Sequence, residues 1–213
     1  MNIKVIELRL GDMDTNCYIV YEDISKNGVI IDPGDDASFI SEILERKGIS
    51  PKLILATHGH SDHLMAVYDL KLIYKIPFAG GIKDEFLINK LSYLKRKAKI
   101  NTSIKVPKID RNLKEGDMIK VNGNCIKVLE TPGHTPGSLS YHLKEAQLVF
   151  IGDIMFADGS LGRYDLEYSN KQVLEKSIKR ILKLEAGTKV YCGHGEVSTV
   201  SKMRRFFKYE HYV

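Results

Sequence analysis

The sequence predicts one domain, residues 1–213, of the α/β or α+β class. Strand-like segments cluster at the start of the chain and again in its middle, and helical segments lie between and after them. No linker, repeat or low-complexity segment interrupts the 213 residues, and this length suits one large hydrophobic core. Two half-sheets packed against each other, with helices outside, would bury the apolar faces of these segments.

The first half of the chain predicts four strands and two helices. Alternating or continuous apolar patterns favour strands at 3–10, 16–22, 28–32 and 52–56. The turn IDPGDD after the third strand leads into an amphipathic helix over 37–48, which Gly48 closes. A second helix is predicted from Leu64 to Tyr74, with Ser61 as its N-cap.

The second half begins with a basic segment over 82–99 that is typical of one or two helices. Apolar patterns then favour four more strands, at 118–121, 125–130, 138–143 and 148–152. The region 154–169 has no clean period and is predicted to be a loop. The chain continues with a helix at 170–183, a strand at 188–192 and a short helix at 198–209.

Composition and charge indicate an ordinary globular protein with two basic segments. Hydrophobic residues make up 43% of the chain, charged residues 28%, and the formal net charge is +5. The basic residues concentrate at 90–105 and 201–213, where solvated helix faces are the first explanation and an anionic substrate or a nucleic acid are the alternatives. No nucleic-acid-binding motif accompanies the charge, so nucleic acid is not expected as a partner.

The sequence predicts a cytoplasmic protein. No apolar run approaches the roughly 18 residues that a membrane span needs, and the N-terminal segment alternates apolar and polar residues, unlike a secretory signal. Cys17, Cys125 and Cys192 are odd in number and far apart, so they predict no disulfide framework and fit a reducing compartment. Cys192 is interpreted as a small buried residue at a strand end, with metal ligation as the alternative.

The segment THGHSDH, residues 57–63, concentrates potential metal ligands directly after an apolar strand. Three of the seven histidines and one aspartate fall within six positions there. Neutral imidazole is the commonest metal ligand in proteins, so the segment favours a metal site over a polar turn that happens to carry imidazoles.

Three further strand-like segments end in a residue of the same chemical type. CIKVLETPGH ends at His134, LVFIGD ends at Asp153, and KVYCGHG carries His194. Loops held by a sheet bring side chains together in a cleft, so these groups are expected to meet the THGHSDH segment.

Seven such groups suit two metal ions. Because His58 and His60 are two apart on extended chain, they point to the same side and are expected to bind one ion, with His134 as the third imidazole. Asp62 and His63 are adjacent and diverge, so they are expected to serve a second ion.

His194 and Asp153 complete the predicted site. His194 is expected to join the second ion, and the two carboxylate oxygens of Asp153 would reach both ions, roughly 3.5–4 Å apart. Five imidazoles and two carboxylates, without a thiolate, suit zinc, iron or manganese. We therefore predict two divalent ions, zinc first, with iron or manganese as alternatives. Structural zinc sites are normally closed and sulfur-rich, so an enzyme is favoured over a metal-stabilised binding module.

These residues resemble the motifs of a known family. THGHSDH, the isolated His134 in TPGHTPGS, Asp153 in GD and His194 in GHG are similar to the metallo-β-lactamase superfamily across almost the whole chain. NCYIV, IIDPG, GDIMFADGSLGR and YCGHG look most like the short bacterial branch of its glyoxalase II-like hydrolases. The resemblance implies an αββα sandwich, in which two mixed β-sheets carry helices on their outer faces and a dinuclear metal site at the sheet edge.

The resemblance also implies a reaction, the hydrolysis of a thioester similar to S-lactoylglutathione. A hydroxide bridging the two ions would attack the carbonyl, and one ion would polarise its oxygen. Asp62 would fix the second ion and orient the nucleophile. Asp32 in IIDPG is interpreted as hydrogen-bonded to a ligating imidazole, with a plain turn residue as the alternative. Arg163 is interpreted as a contact for a substrate carboxylate, with a structural salt bridge as the alternative.

The sequence departs from the family in two places. Full-length glyoxalase II enzymes carry a C-terminal helical region that holds glutathione, whereas this chain stops nineteen residues after His194, which leaves glutathione recognition open. The common zinc β-lactamases carry a cysteine where this chain has Asp153, and they are exported, so antibiotic hydrolysis is not expected.

Two other reactions of the superfamily stay open as alternatives. Persulfide dioxygenases, which are oxidoreductases, use one iron held by two histidines and one aspartate, and His58, His134 and Asp153 would supply that set. A phosphodiesterase acting on RNA, similar to tRNase Z, would carry a tRNA-gripping arm, and no obvious arm is present in the sequence. The intact second set of ligands favours hydrolysis.

The substrate is predicted to enter between the loop 154–169 and the basic segment 82–105. Six basic residues of that segment would attract a small anionic thioester by long-range steering, namely Lys90, Lys95, Arg96, Lys97, Lys99 and Lys105. His142 and His211 have no partner motif and are predicted to have no role in the site. We expect a monomer or a weak homo-oligomer without membrane contact.

Overall fold

Two six-stranded sheets form the centre of the protein. A computed structural model describes residues 2–97 and 106–210, with side chains described as far as Leu91 in the third helix and Phe207 in the last. The first sheet is antiparallel from β1 to β3 and parallel from β3 to β6. Its strands, in spatial order, are β1 (Ile3–Leu10), β2 (Thr15–Glu22), β3 (Asn27–Ile31), β4 (Ser50–Leu55), β5 (Phe78–Gly80) and β6 (Arg111–Asn112).

The second sheet is antiparallel except for one parallel pair, β10 with β11. Its spatial order is β12-β11-β10-β9-β8-β7. The strands are β7 (Met118–Val121), β8 (Asn124–Glu130), β9 (Leu139–Leu143), β10 (Leu148–Gly152), β11 (Lys189–Cys192) and β12 (Ser198–Thr199).

Five α-helices among the described residues lie outside the sheets. They are α1 (Ala37–Lys47), α2 (Val67–Tyr74), α3 (Glu85–Lys97), α4 (Lys171–Ile181) and α5 (Val200–Glu210). The Asp36 carboxylate caps α1 by accepting the Phe39 N–H, and Gly48 ends that helix in the left-handed conformation. Within the described residues, no helix combines the length and apolar character that crossing a membrane requires.

Three hydrophobic layers hold the elements together. The central layer lies between the sheets, where Tyr18 of β2 contacts Phe150 of β10 and Tyr191 of β11. A second layer packs α1–α3 on the first sheet, and a third packs α4 and α5 on the second sheet. The order helix, sheet, sheet, helix confirms the predicted αββα sandwich of two mixed sheets.

The predicted N-cap of the second helix is wrong. Ser61–His63 form a separate short 3-10 helix, and α2 begins only at Val67, after Ala66 and without a side-chain cap. The tight turn is closed by the His63 N–H donating to the His60 carbonyl. Ser61 is used in this turn, which brings the side chains of Asp62 and His63 to the same cluster of potential ligands, and the helix starts only after it.

The carboxyl ends of several strands meet at one edge of the sandwich. In the second sheet β8, β10 and β11 run in the same direction, because β9 is antiparallel to β8 and β10 while β11 is parallel to β10. The Leu139 N–H donates to the Thr57 carbonyl at 2.7 Å and joins this edge to the end of β4 in the first sheet. Loops from both sheets therefore open on the same cleft.

Candidate metal centre

All seven predicted ligand residues converge at this edge. Four follow β4, and the others follow β8, β10 and β11, one from each strand. Six of them form two groups of potential ligand atoms, which we call cluster A (His58, His60, His134) and cluster B (Asp62, His63, His194). Asp153 lies between the two clusters.

Cluster A brings three imidazole nitrogens together. His58 Nε2 and His134 Nε2 each lie 3.0 Å from His60 Nδ1. Three ring nitrogens this close share at best a single hydrogen, whereas one cation accepts the lone pairs of all three. Tetrahedral zinc with ligand bonds of about 2.0–2.1 Å places its ligand atoms about 3.3 Å apart, so the spacing fits a metal ion.

Cluster B combines one carboxylate with two imidazoles. Asp62 Oδ2 lies 3.4 Å from His63 Nε2 and 3.3 Å from His194 Nε2. The Thr15 hydroxyl donates to the same oxygen at 3.2 Å and fixes the carboxylate from outside. His63 is buried, while Asp62 and His194 are half-buried, so this cluster faces the opening of the cleft.

Asp153 reaches both clusters. Its Oδ2 lies 3.9 Å from His134 Nε2 of cluster A and 3.5 Å from His194 Nε2 of cluster B. Its Oδ1 lies 3.6 Å from His63 Nε2. Among the described atoms, neither Asp153 Oδ1 nor His63 Nε2 has a hydrogen-bond partner, although both are buried. Buried polar atoms are nearly always paired, so two such atoms facing one space fit a bound cation.

A glycine makes this close approach of side chains possible. A Cβ atom on Gly193 would lie 2.0 Å from Asp153 Oδ1 and 2.8 Å from His63 Cε1. Any larger residue would therefore push the two candidate ligands apart. The GHG turn needs its first glycine for space beside the site.

Each imidazole uses its second ring nitrogen for a hydrogen bond outside the clusters. Such bonds orient metal-binding histidines and leave the other nitrogen free to face the ion. The pairs are His58 Nδ1 with Thr57 Oγ1 at 3.1 Å, His60 Nε2 with Tyr168 OH at 2.8 Å, His63 Nδ1 with Asp32 Oδ2 at 3.1 Å, His134 Nδ1 with the Arg163 carbonyl at 2.9 Å, and His194 Nδ1 with the Met13 carbonyl at 3.0 Å.

Asp32 supports the site from below. It is 1% exposed and has a left-handed backbone with φ 51°, which is unusual outside glycine. Besides contacting His63, its carboxylate accepts the Thr57 N–H at 2.7 Å and the Thr57 hydroxyl at 2.6 Å. Asp32, His58 and His63 also lie close enough to hold an ion, but these hydrogen bonds already occupy the Asp32 oxygens. Asp32 is therefore placed to orient His63.

Sequence reasoning missed two residues that hold the loops of cluster A. The buried Asp84 carboxylate accepts the Gly59 N–H at 2.8 Å, the Gly137 N–H at 2.6 Å and the Thr135 hydroxyl at 2.6 Å. It thereby ties the THGHSDH loop to the loop of His134. The second missed residue is Tyr168, the hydrogen-bond partner of His60. No motif surrounds either residue, so the sequence carried no local signal for them.

Arg163 enters the site through its backbone. Its guanidinium is exposed and pairs with both carboxylate oxygens of Asp165 at 3.0 Å, while its carbonyl accepts from His134. The predicted contact with a substrate carboxylate would have to compete with Asp165. Cys17, Cys125 and Cys192 are free, and Cys192 is buried at the end of β11, outside both clusters.

Only part of the predicted basic segment has described side chains. Lys90 is described and exposed. The side chains of Lys95, Arg96 and Lys97 are not described, and Lys99, Lys105 and His211 lie outside the described residues altogether. His142 lies on β9, paired with Lys127 and Val149, and belongs to neither cluster.

Burial and charge affect the two clusters differently. In cluster A, burial and the charge of His63 lower the pKa of His58 well below its usual value, and burial and the charge of His134 lower the pKa of His60 to about 4. In cluster B burial also lowers the pKa of His194, but the hydrogen bonds of this imidazole to Asp153 and Asp62 outweigh the effect of burial and raise the pKa to about 10. Metal ions bind neutral imidazole, so protons compete with a metal mainly in cluster B.

Comparison with known proteins agrees with this geometry. Residues 10–194 match the family described as the metallo-beta-lactamase superfamily. The chain is 32% identical over 213 residues to hydroxyacylglutathione hydrolase GloC of Haemophilus influenzae, which covers 96% of each protein.

Two solved structures share both fold and sequence. TTHA1623 in a di-iron-bound form is 33% identical with a TM-score of 0.82, covering 95% of this chain and 98% of that one. The B3 metallo-beta-lactamase BLEG-1 is 31% identical with a TM-score of 0.81, covering 95% and 97%. The chain therefore belongs to the metallo-β-lactamase superfamily, whose members are generally metal-dependent hydrolases.

Proposed function

We propose that the protein hydrolyses a small anionic thioester of the S-lactoylglutathione type, with two divalent metal ions. The observation that carries this proposal is the position of Asp153, which lies 3.9 Å from a nitrogen of cluster A and 3.5 Å from a nitrogen of cluster B. A carboxylate between two complete ligand sets is the arrangement that a dinuclear hydrolase needs. Similarity to a hydroxyacylglutathione hydrolase over nearly the whole chain supports the substrate class.

The chain's own residues would position the reactants. Ions held by clusters A and B and by Asp153 would supply the Lewis acid and lower the pKa of a bound water to about 7. Asp62, held by Thr15 and half-buried at the opening, would accept a hydrogen bond from the attacking water and orient it. Asp32 would keep His63 Nδ1 protonated, so that His63 Nε2 presents a lone pair.

Two other activities compete with this proposal. A mononuclear iron oxygenase would use His58, His134 and Asp153 and leave cluster B without a metal, which would not explain why cluster B is complete. β-Lactam hydrolysis is favoured by the similarity to BLEG-1 alone. An RNA phosphodiesterase has no structural feature in its favour among the described residues.

Metal content and substrate range together test the proposal. Elemental analysis of protein prepared without chelator is expected to give close to two ions per chain, and S-lactoylglutathione is expected to be hydrolysed. Zinc is the expected metal, and the di-iron form of TTHA1623 makes iron the first alternative. One iron with no other metal would support the oxygenase. Turnover of nitrocefin or of a bis-phosphate ester, with none of any thioester, would exclude the proposed reaction.

A further inference from the structure

The open side of cluster A carries a small aromatic and cationic group of residues. Tyr168, at the end of the loop 154–169, is hydrogen-bonded to His60, and its ring lies 5.4 Å from that of Phe86 on α3. Phe86 and Lys90 are one helical turn apart on the exposed face of α3, opposite the buried Ile88. The two segments predicted to frame the mouth of the site therefore meet beside a candidate metal ligand.

Lys90 lies at this point over two aromatic rings, and none of the described side chains supplies a counter-charge. Its ammonium nitrogen lies 5.5 Å from the ring centre of Phe86 and 5.8 Å from that of Tyr168, which are cation–π distances. No carboxylate among the described side chains lies within 4.0 Å of it. Phe86 is 39% exposed, which is unusual for a large aromatic side chain. A cation placed over two accessible rings is available to an external anion.

The opposite side of the cleft has a different character. Met13, whose carbonyl binds His194, is 65% exposed, and the ring of Phe156 lies 6.1 Å from the His194 ring. The chain neighbours of Met13 are the exposed residues Asp12 and Asp14. The exposed charges near the two clusters therefore differ, with two carboxylates in the segment beside cluster B and an ammonium group beside cluster A, and this difference favours an anionic group on the side of cluster A.

We propose that Phe86, Lys90 and Tyr168 form the recognition site for the carboxylate-bearing thiol portion of the substrate. The inference rests on the proposed thioester hydrolysis and adds an orientation to it, with the thiol portion over cluster A and the acyl portion towards cluster B. Lys90 supplies the charge, and the two rings contact the alkyl part of the ligand. His60 presents Nδ1 to cluster A and donates from Nε2 to the Tyr168 oxygen. The phenol hydrogen is then free to bond a substrate oxygen.

Two substrates with the same acyl group test this assignment. S-lactoylglutathione carries carboxylates, whereas S-lactoyl-N-acetylcysteamine has the same scissile bond and no charge. The readout is the ratio of their kcat/KM values, measured for the wild type, Lys90→Gln, Lys90→Glu and Lys179→Gln. Lys179 is the matched control, because its ammonium also lies over an aromatic ring, 6.0 Å from Phe207, between α4 and α5, which carry no candidate ligand.

The anionic-to-neutral ratio is expected to fall about fivefold in Lys90→Gln, the upper range for a solvent-exposed ion pair, and further in Lys90→Glu. The loss should be in KM, with metal content equal to that of the wild type, and Lys179→Gln should keep the wild-type ratio. If both Lys90 variants keep that ratio while thioester hydrolysis persists, the recognition site is wrong and the proposed function stands. If the wild type hydrolyses neither thioester, the proposed function fails and this inference fails with it.

Discussion

Clusters A and B are built from similar loops, but the residues that orient His60 in cluster A and His63 in cluster B are buried to different extents. In cluster A, His60 depends on the phenol of Tyr168, which is half-buried on an irregular loop. In cluster B, His63 depends on Asp32, which is 1% exposed and bound to three donor groups. Water can replace an exposed partner but cannot reach a buried one. Hydrogen bonds that orient equivalent histidines should therefore differ in how strongly they affect metal binding.

The residue that both clusters share should give the largest effect. Asp153→Ala removes the carboxylate that faces the Nε2 atoms of His134 in cluster A and of His194 in cluster B. We expect turnover to fall by more than about 100-fold, because even partners outside the ligand set cost 10–100-fold. Metal content should drop as well, by elemental analysis of the purified variant.

The matched control for this variant is His142→Ala. His142 lies on β9 and belongs to neither cluster. It should keep the metal content and the activity of the wild type. Equal losses in the two variants would show that the assignment of Asp153 is wrong.

A substitution of Asp32, the buried partner of His63 in cluster B, should have the second largest effect. Asp32→Asn replaces one carboxylate oxygen by an amide NH2 group, which cannot accept a hydrogen bond from His63 Nδ1–H. The amide favours the tautomer of His63 that is protonated at Nε2, and this nitrogen then has no lone pair for a metal. We expect a loss of about 10–100-fold in affinity for one of the two ions, measured by competition with a chelator.

Asp36→Asn is the control for Asp32→Asn. It makes the same chemical change four residues away, at the exposed N-cap of α1, where asparagine caps as well as aspartate. It should leave both ions in place. If Asp32→Asn also keeps two tightly bound ions, cluster B does not depend on its buried support and the comparison of depths fails.

The layered fold could be predicted from the sequence because its long elements have clear periods. The predicted strands at 3–10 and 16–22 correspond to β1 and β2, and the helix at 170–183 corresponds to α4. Sequence reasoning missed β5, β6 and β12, because each has only two or three residues and such segments show no period. The start of α2 was wrong because the local turn at Ser61 serves the site.

The candidate ligands could be predicted, whereas most of their supports could not. The ligands follow strands within a few residues, so the pattern of strand and loop locates them. Asp32 could be predicted for the same reason, because it directly follows a strand in the segment IIDPG. Asp84 and Tyr168 contact loops that are distant in sequence, across 25 and 108 positions. Such contacts depend on how α3 and the loop 154–169 pack, which no local pattern encodes.

The half-buried support of cluster A, Tyr168, should have a smaller effect than Asp32. Tyr168→Phe keeps the ring contact with Phe86 and removes only the hydroxyl that bonds His60. Because water can take its place, we expect a loss of at most about tenfold in affinity for one ion, at the low end for such partners. Tyr164→Phe, at an exposed position of the same loop, should have no effect on metal affinity. A loss larger than that of Asp32→Asn would reverse the comparison.

The charge difference between the two sides of the cleft should give the smallest effect. Steering of an anionic substrate towards the lysine-bearing side weakens as salt shortens the Debye length, from about 30 Å at 0.01 M to about 8 Å at 0.15 M. The kcat/KM for S-lactoylglutathione is therefore expected to fall, on the order of twofold to a few-fold over this range. S-lactoyl-N-acetylcysteamine carries no charge and should show almost no change. The dependence should be weaker in Lys90→Gln than in Lys179→Gln, although both variants lose one positive charge. Equal salt dependence of the two substrates would mean that the charge of the cleft does not guide the substrate, and that the two sides differ only in how they hold metal.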